Sequence, residues 1–172
     1  GKTPPSEVVT RAVIGVGGRG GGFVKKNEEG KPPRVLAVCD VDRSRAYNAQ
    51  RRAGGPCEVY RDFRRVLERK DIDVVYIATP PHWHALITIY AAMAGKDIYC
   101  EKPMTRFIGE GRAVVNAVNR YGRIFQIGTF GRFGKENHPT RNLFRAGLIN
   151  PSNAPVWRKD SGWKVRQWSG KI

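Results

Sequence analysis

Three groups of residues carry chemistry by their type and spacing. The first is a glycine loop, Gly15-Val16-Gly17-Gly18-Arg19-Gly20, which directly follows an apolar run at residues 9–16 and opens a helical pattern at residues 20–26. In a strand–loop–helix setting each glycine has a reason. Gly15 permits the tight turn, Gly17 lets the backbone approach a pyrophosphate with Gly18 beside it, and Gly20 lets helix and strand pack closely. The unpaired amides and positive dipole of a helix N-terminus then favour phosphate without any basic side chain. Arg19 adds charge if it faces the ligand and is otherwise a solvated side chain. Asp40 lies twenty residues beyond Gly20, where a carboxylate can accept from both ribose hydroxyls of an adenosine. It would repel a 2′-phosphate, which favours NAD over NADP, although Arg43 or Arg45 could accommodate that phosphate. The alternative for Asp40, and the stronger reading for Asp42, is a cap on the following helix.

The second and third groups are Thr79-Pro80-Pro81-His82-Trp83-His84 and Glu101-Lys102-Pro103. Each terminates an apolar run, at residues 73–78 and 97–100. In an open α/β sheet the ligand crevice lies outside the carboxyl ends of the strands, so both groups share a rim with the glycine loop. His82 and His84 could instead simply open the next helix. The His-x-His pair has no carboxylate or cysteine nearby in a ligand pattern, so no metal is expected. Gln126, at the end of a later run, either touches the cofactor amide or packs.

The elements that must position these residues follow from the hydrophobic pattern. Apolar runs at 9–16, 34–39, 58–60, 73–78, 97–100 and 123–127 alternate with helical patterns at 43–53, 63–69, 84–94 and 109–121. Parallel neighbours need crossover connections, so this alternation predicts an α/β fold with a doubly wound parallel sheet of Rossmann type. Gly95 and Gly122 stand where helices should end in a left-handed glycine. After residue 128 the sequence turns to Gly, Asn, Pro and Trp, with one helical pattern at 140–146 and one strand candidate at 154–165. The expected organisation is a dinucleotide-binding domain over 1–128 and, over 129–172, the opening of an incomplete α+β substrate domain.

Composition narrows the function classes. The chain has 172 residues, 40% hydrophobic and 27% charged, ordinary for a soluble globular protein. No apolar stretch approaches the roughly 20 residues that span a bilayer. The three cysteines show no CxxC spacing and read as buried thiols. Without a signal-like N-terminal segment, the cytoplasm is the default, unless an export signal was removed before Gly1. The net charge of +16 invites a nucleic-acid reading, but residues 132–172 hold nine of the 31 basic residues against two of the 15 acidic ones. A basic tail of this kind is read as a solvated surface, and nucleic-acid binding is disfavoured.

Together the motifs resemble the Gfo/Idh/MocA oxidoreductases, named for glucose–fructose oxidoreductase and inositol dehydrogenase. The resemblance rests on the glycine loop, Cys39-Asp40-Val41-Asp42, Tyr60 to Phe63, Asp71 to Val75, Thr79-Pro80 with His84, and above all Glu101-Lys102-Pro103. It covers roughly residues 9–130. It implies that Thr79, Pro80 and His84 border the dinucleotide, that Glu101 lies near the nicotinamide ribose, and that Lys102 points at the reacting carbon, with a cis bond before Pro103. An ammonium there stabilises a developing alkoxide or relays its proton while nicotinamide takes the hydride. The implied activity is NAD(P)-dependent oxidation of a sugar- or polyol-like alcohol, or reduction of the ketone, by a full-length form that is a homo-oligomer. Family members carry an acid-and-histidine pair in a larger second domain, for which this chain has no room. Trp157, Trp163 and Trp168 look like that domain's first stretch. The alternative is a non-catalytic dinucleotide-binding module whose basic tail docks on a partner or on nucleic acid.

Overall fold

The computed structural model describes residues 8–27 and 34–129, with Asn142 and Ala146. The chain divides into two units, Gly1–Gly128 and Thr129–Ile172, and nearly all described residues belong to the first. The strand expected at 154–165, with Trp157 and Trp163 in it and Trp168 beyond it, lies outside the described residues. Of the helix expected at 140–146, the described part is one hydrogen bond, from Ala146 N–H to Asn142 O at 2.9 Å.

Six strands form one parallel sheet: β1 (Arg11–Ile14), β2 (Val35–Cys39), β3 (Glu58–Tyr60), β4 (Val74–Ile77), β5 (Asp97–Glu101) and β6 (Phe125–Gly128). Their order is β3-β2-β1-β4-β5-β6. The chain therefore winds outward from β1 in one direction and then, starting with β4, in the other. This is the doubly wound Rossmann arrangement, and it opens a crevice at the strand ends between β1 and β4. All five residues of β2 are buried, as a strand covered on both faces requires. Registers Ile14↔Cys39, Ile14↔Ile77 and Ile77↔Cys100 bring the carboxyl ends of four strands to one rim.

Five helices complete the unit: α1 (Gly18–Gly21), α2 (Arg43–Ala53), α3 (Phe63–Leu67), α4 (Pro81–Met93) and α5 (Ile108–Arg120). On one face, α3, α4 and α5 bury Val66, Ile87, Ala91 and Ala117 against Ile14, Ile77 and Cys100. On the other, α2 lays Ala49 and Ala53 on Val13, Val35 and Val38. Alanine on that helix face lets it approach the β-branched surface of the sheet closely.

Helix ends follow the local chemistry. Asp42 caps α2, its side chain accepting from Ser44 N–H at 2.9 Å and Arg45 N–H at 3.3 Å. Glu110 accepts from the backbone N–H groups of Arg106 and Phe107 at the start of α5. Gly95 and Gly122 take φ of +77° and +59° just after α4 and α5. Two helix boundaries differ from expectation by three residues or more. Helix α4 begins at Pro81 rather than His84, because proline is well suited to the first helical position, where no amide hydrogen is needed. Helix α1 is a single turn that ends at Gly21 instead of running from 20 to 26, since consecutive glycines lose the most backbone freedom on entering a helix.

Candidate functional site

A cleft of about 910 Å³ opens at the rim between β1, β2 and β4. Among its lining residues are Gly15, Gly17, Gly18, Asp40, Thr79 and Pro80, all singled out by sequence. Gly15 holds φ at +82°, and a Cβ there would lie 2.7 Å from Thr79 N and 2.8 Å from Ala78 O. Only glycine lets the loop leave β1 so close to β4. A Cβ on Gly20 would overlap the Gly15 carbonyl oxygen and lie 3.1 Å from Ala78 Cβ. The loop is thus wedged against the strand end, and its first amide donates to Cys39 O at 2.8 Å.

Asp40 closes the loop from the β2 side. Its Oδ2 accepts from Val16 N–H at 2.9 Å and its Oδ1 from Asp42 N–H at 3.0 Å. The cap on α2 is Asp42, and Asp40 instead braces the glycine loop. Each carboxylate oxygen retains a further acceptor site, so a bound ribose could still be held. Ser44, through its hydroxyl, holds the Asp42 carboxyl below its ordinary range, helped by Arg45 N–H. Arg45 pairs with Asp42 at 3.4 Å, and its Nη1 would lie 3.2 Å from a Cβ at Gly17.

Thr79 stands at the corner just after β4 with its Oγ1 buried and without a hydrogen-bond partner. A buried hydroxyl normally finds one, and this one lines the cleft, so it fits a ligand that brings a polar atom. Cys39, which also lines the cleft, has its thiol pushed up to about 12 by burial, with Asp40 and Asp62 adding to the effect. Cys100 is raised to about 12 for the same first reason. Neither supplies a thiolate near neutral pH.

The remaining sequence candidates lie outside this cleft lining, and two are tied to it through other contacts. His84 is 1% exposed; its Nε2 lies 2.8 Å from Thr79 O and its Nδ1 2.7 Å from Pro103 O. The ring therefore pins the corner after β4 to the corner after β5. Glu101, also buried, places Oε1 2.8 Å from Arg19 Nε and accepts from Lys102 N–H at 3.2 Å through Oε2. Arg19, for which solvent exposure is the favoured sequence reading, is indeed exposed, its side chain 51% accessible, yet it also pairs across from the glycine loop to β5. Lys102 is exposed and precedes a cis bond to Pro103. Gln126 is exposed on β6, its Nε2 donating to Ile127 O at 2.8 Å. His82 is exposed in the first turn of α4.

Sequence reasoning missed one wall of the cleft. Arg61, Phe63, Trp83, Leu86 and Tyr90 extend it between α3 and α4. Phe63 meets Trp83 and Tyr90 edge-on at centroid distances of 6.4 and 6.1 Å. The signal was present as residues 83, 86 and 90, at helical spacing on one face of α4. Among the described residues, no group of three or more His, Cys, Asp or Glu side chains could hold a metal ion, and no helix is long and apolar enough to cross a membrane.

The sequence model of an oxidoreductase family with an NAD-binding Rossmann fold, Gfo/Idh/MocA, matches residues 9–129. The chain belongs to this family. Glycosyl hydrolase family 109 protein 2 of Shewanella sp. (strain ANA-3) is 32% identical to this Gfo/Idh/MocA chain over 154 residues, 85% of the chain and 34% of that protein. Inositol 2-dehydrogenase of Salmonella paratyphi B is 31% identical over 116 residues, 67% of the chain and 34% of that protein. The crystal structure of scyllo-inositol dehydrogenase from Lactobacillus casei with NAD(H) and scyllo-inositol superposes with a TM-score of 0.67 at 25% identity, covering 83% of this chain and 42% of that one. The chain spans about a third of the length of the curated relatives it matches.

Proposed function

We propose that the chain forms the cofactor-binding part of an NAD-dependent oxidoreductase that moves hydride between nicotinamide and a secondary alcohol or ketone of a sugar- or polyol-like substrate. The observation that carries this reading is the cleft itself, where the glycine loop, the braced Asp40 and the partnerless Thr79 hydroxyl meet. Gly15, Gly17, Gly18 and Gly20 with Arg19 receive the diphosphate, and Asp40 accepts from the adenosine ribose, which favours NAD over NADP. Thr79 and Pro80 border the cofactor, while His84 fixes their corner against Pro103. Glu101 belongs to the nicotinamide end of the rim. We assign Gln126, on the outermost strand β6 two residues before Gly128, to the nicotinamide amide.

When bound, NAD supplies the acceptor for the hydride released as the carbinol C–H bond breaks. Lys102 relays the hydroxyl proton and steadies negative charge on the substrate oxygen, which is why it stands exposed beside a fixed, buried carboxylate. Residues 129–172 open the substrate domain, and the full-length form is a homo-oligomer. Three buried, unpaired cysteines fit a reducing compartment such as the cytoplasm. Family membership favours this reading over a non-catalytic docking module.

Titration with NAD tests the first part, and a panel of polyols and sugars followed by NADH absorbance tests turnover in the full-length enzyme. Failure to bind NAD at millimolar concentration overturns the reading. A second reading, glycosidic-bond hydrolysis, is favoured by the glycosyl hydrolase relative that aligns over 85% of the chain. Release of sugar from an aryl glycoside without net NADH accumulation would select it.

A further inference from the structure

Glu101 is a buried carboxylate at the end of β5, its side chain 6% exposed. Removing a carboxylate from water is costly unless a counter-charge and hydrogen bonds replace the lost solvation. Two donors do so here, each on its own oxygen: Arg19 Nε at 2.8 Å and the Lys102 amide at 3.2 Å. The carboxylate has no room to swing toward β6. A Cβ on Gly128 would lie 3.0 Å from Glu101 Cδ and 2.9 Å from Tyr99 Oη, so only glycine fits opposite it.

Arg19 is held as firmly from the other side. Its guanidinium lies 5.2 Å from the centroid of the Phe23 ring, and Phe23 packs on Tyr76 and Tyr99 at 5.4 and 5.3 Å. An aromatic stack on the sheet therefore backs the guanidinium, which projects from the single-turn helix α1 at the end of the glycine loop. Lys102 makes no side-chain hydrogen bond or ion pair among the described residues.

We propose that Arg19 is a positioning residue: it neutralises and fixes the buried Glu101 carboxylate, so that the rim accepts a dinucleotide diphosphate and Lys102 is not drawn into a pair with its neighbour. The inference rests on the cofactor reading above and deepens it. Without Arg19, a confined negative charge would face the same crevice as the diphosphate. At an effective dielectric near 20, repulsion over two strand spacings, about 10 Å, weakens diphosphate binding roughly tenfold.

The test is a double-mutant cycle on the full chain, with NAD and adenosine as ligands and thermal melting of every variant as the folding control. Arg19→Met is expected to lose roughly tenfold in NAD affinity while binding adenosine as the wild type does. Glu101→Gln in the Arg19→Met background is expected to recover most of that loss, since it removes the uncompensated charge. Arg19→Lys should fall between wild type and Arg19→Met. A merely structural arginine would weaken both ligands together and show no recovery, and that result overturns the proposal. So does an Arg19→Met chain that binds NAD like the wild type. If the wild-type chain itself binds no NAD, the cofactor reading fails and takes the proposal with it.

Discussion

Replacing His84 by phenylalanine tests how the two corners of the rim are joined. The change keeps a ring of similar size but removes both nitrogens, which lie 2.8 Å from Thr79 O and 2.7 Å from Pro103 O. A buried carbonyl left without a donor costs about 1–3 kcal/mol. A neutral imidazole carries one N–H, so one of the two carbonyls receives the hydrogen bond. Pro103 is exposed and its carbonyl can recover a water, whereas Thr79 is partly buried and takes the larger loss where it is the acceptor. A net destabilisation of about 2 kcal/mol follows, read as a lower urea midpoint by circular dichroism. The functional loss should be larger than the binding loss, because Thr79 stays tethered between β4 and α4 while the Lys102–Pro103 corner is released. Turnover by the full-length enzyme should therefore drop more than NAD affinity. His84→Asn, whose shorter side chain keeps an N–H donor but not the ring, should lie between. A His84→Phe protein within about 0.5 kcal/mol of wild type, with unchanged turnover, would refute the argument that the ring joins the two corners.

Four further outcomes follow from the same contacts. Gly20→Ala must push α1 off β1, since the new Cβ overlaps the Gly15 carbonyl; NAD binding should be lost and the urea midpoint should fall by the equivalent of roughly 2–3 kcal/mol. Asp40→Ser should lower the NAD-to-NADP affinity ratio by at least about tenfold in paired titrations, because the carboxylate that repels a 2′-phosphate is gone while Arg45 remains beside the loop. Lys102→Met in the full-length enzyme should lower kcat by roughly 100-fold or more and leave NAD affinity unchanged; equal losses in both would mean that Lys102 binds cofactor instead. Asp71 is held below the usual carboxylate range chiefly by its hydrogen bond from Arg69. Its folded pKa lies below the unfolded value, so its contribution is present above the unfolded pKa and is lost as pH falls through the folded one. Asp71→Asn should therefore flatten the acid limb of a stability–pH curve between about pH 4 and the folded value.

The fold was legible because each crossover of a parallel sheet leaves its own mark. Buried strands read as short apolar runs, and the helices between them are long enough to repeat. The misjudged boundaries share one cause, which is that glycine and proline act on backbone geometry and not through hydrophobicity. Gly20 to Gly22 sit in a helix-like pattern but cannot sustain a helix, and Pro81 starts α4 where apolar periodicity begins only at His84. The aromatic wall of the cleft went unread for a different reason. Trp83, Leu86 and Tyr90 have the spacing of a core stripe, and nothing local distinguishes a stripe facing a sheet from one facing a crevice.

Within the site, legibility ran out where contacts cross strands. The Gly15–Gly20 loop is local, and Asp40 follows β2 at a spacing that its chemistry requires. Arg19 and Glu101 are 82 residues apart in the chain, and no local pattern links them. The sheet order nevertheless makes their meeting intelligible. Strand β4 lies between β1 and β5, so two strand spacings, roughly 10 Å, separate the loop after β1 from the end of β5. A short side chain cannot cross that gap. An arginine near the C-terminal end of the loop can, because the corner after β4 carries a small residue, Thr79. The ion pair therefore depends on three strand ends at once, and a motif read along one segment could supply only one of them.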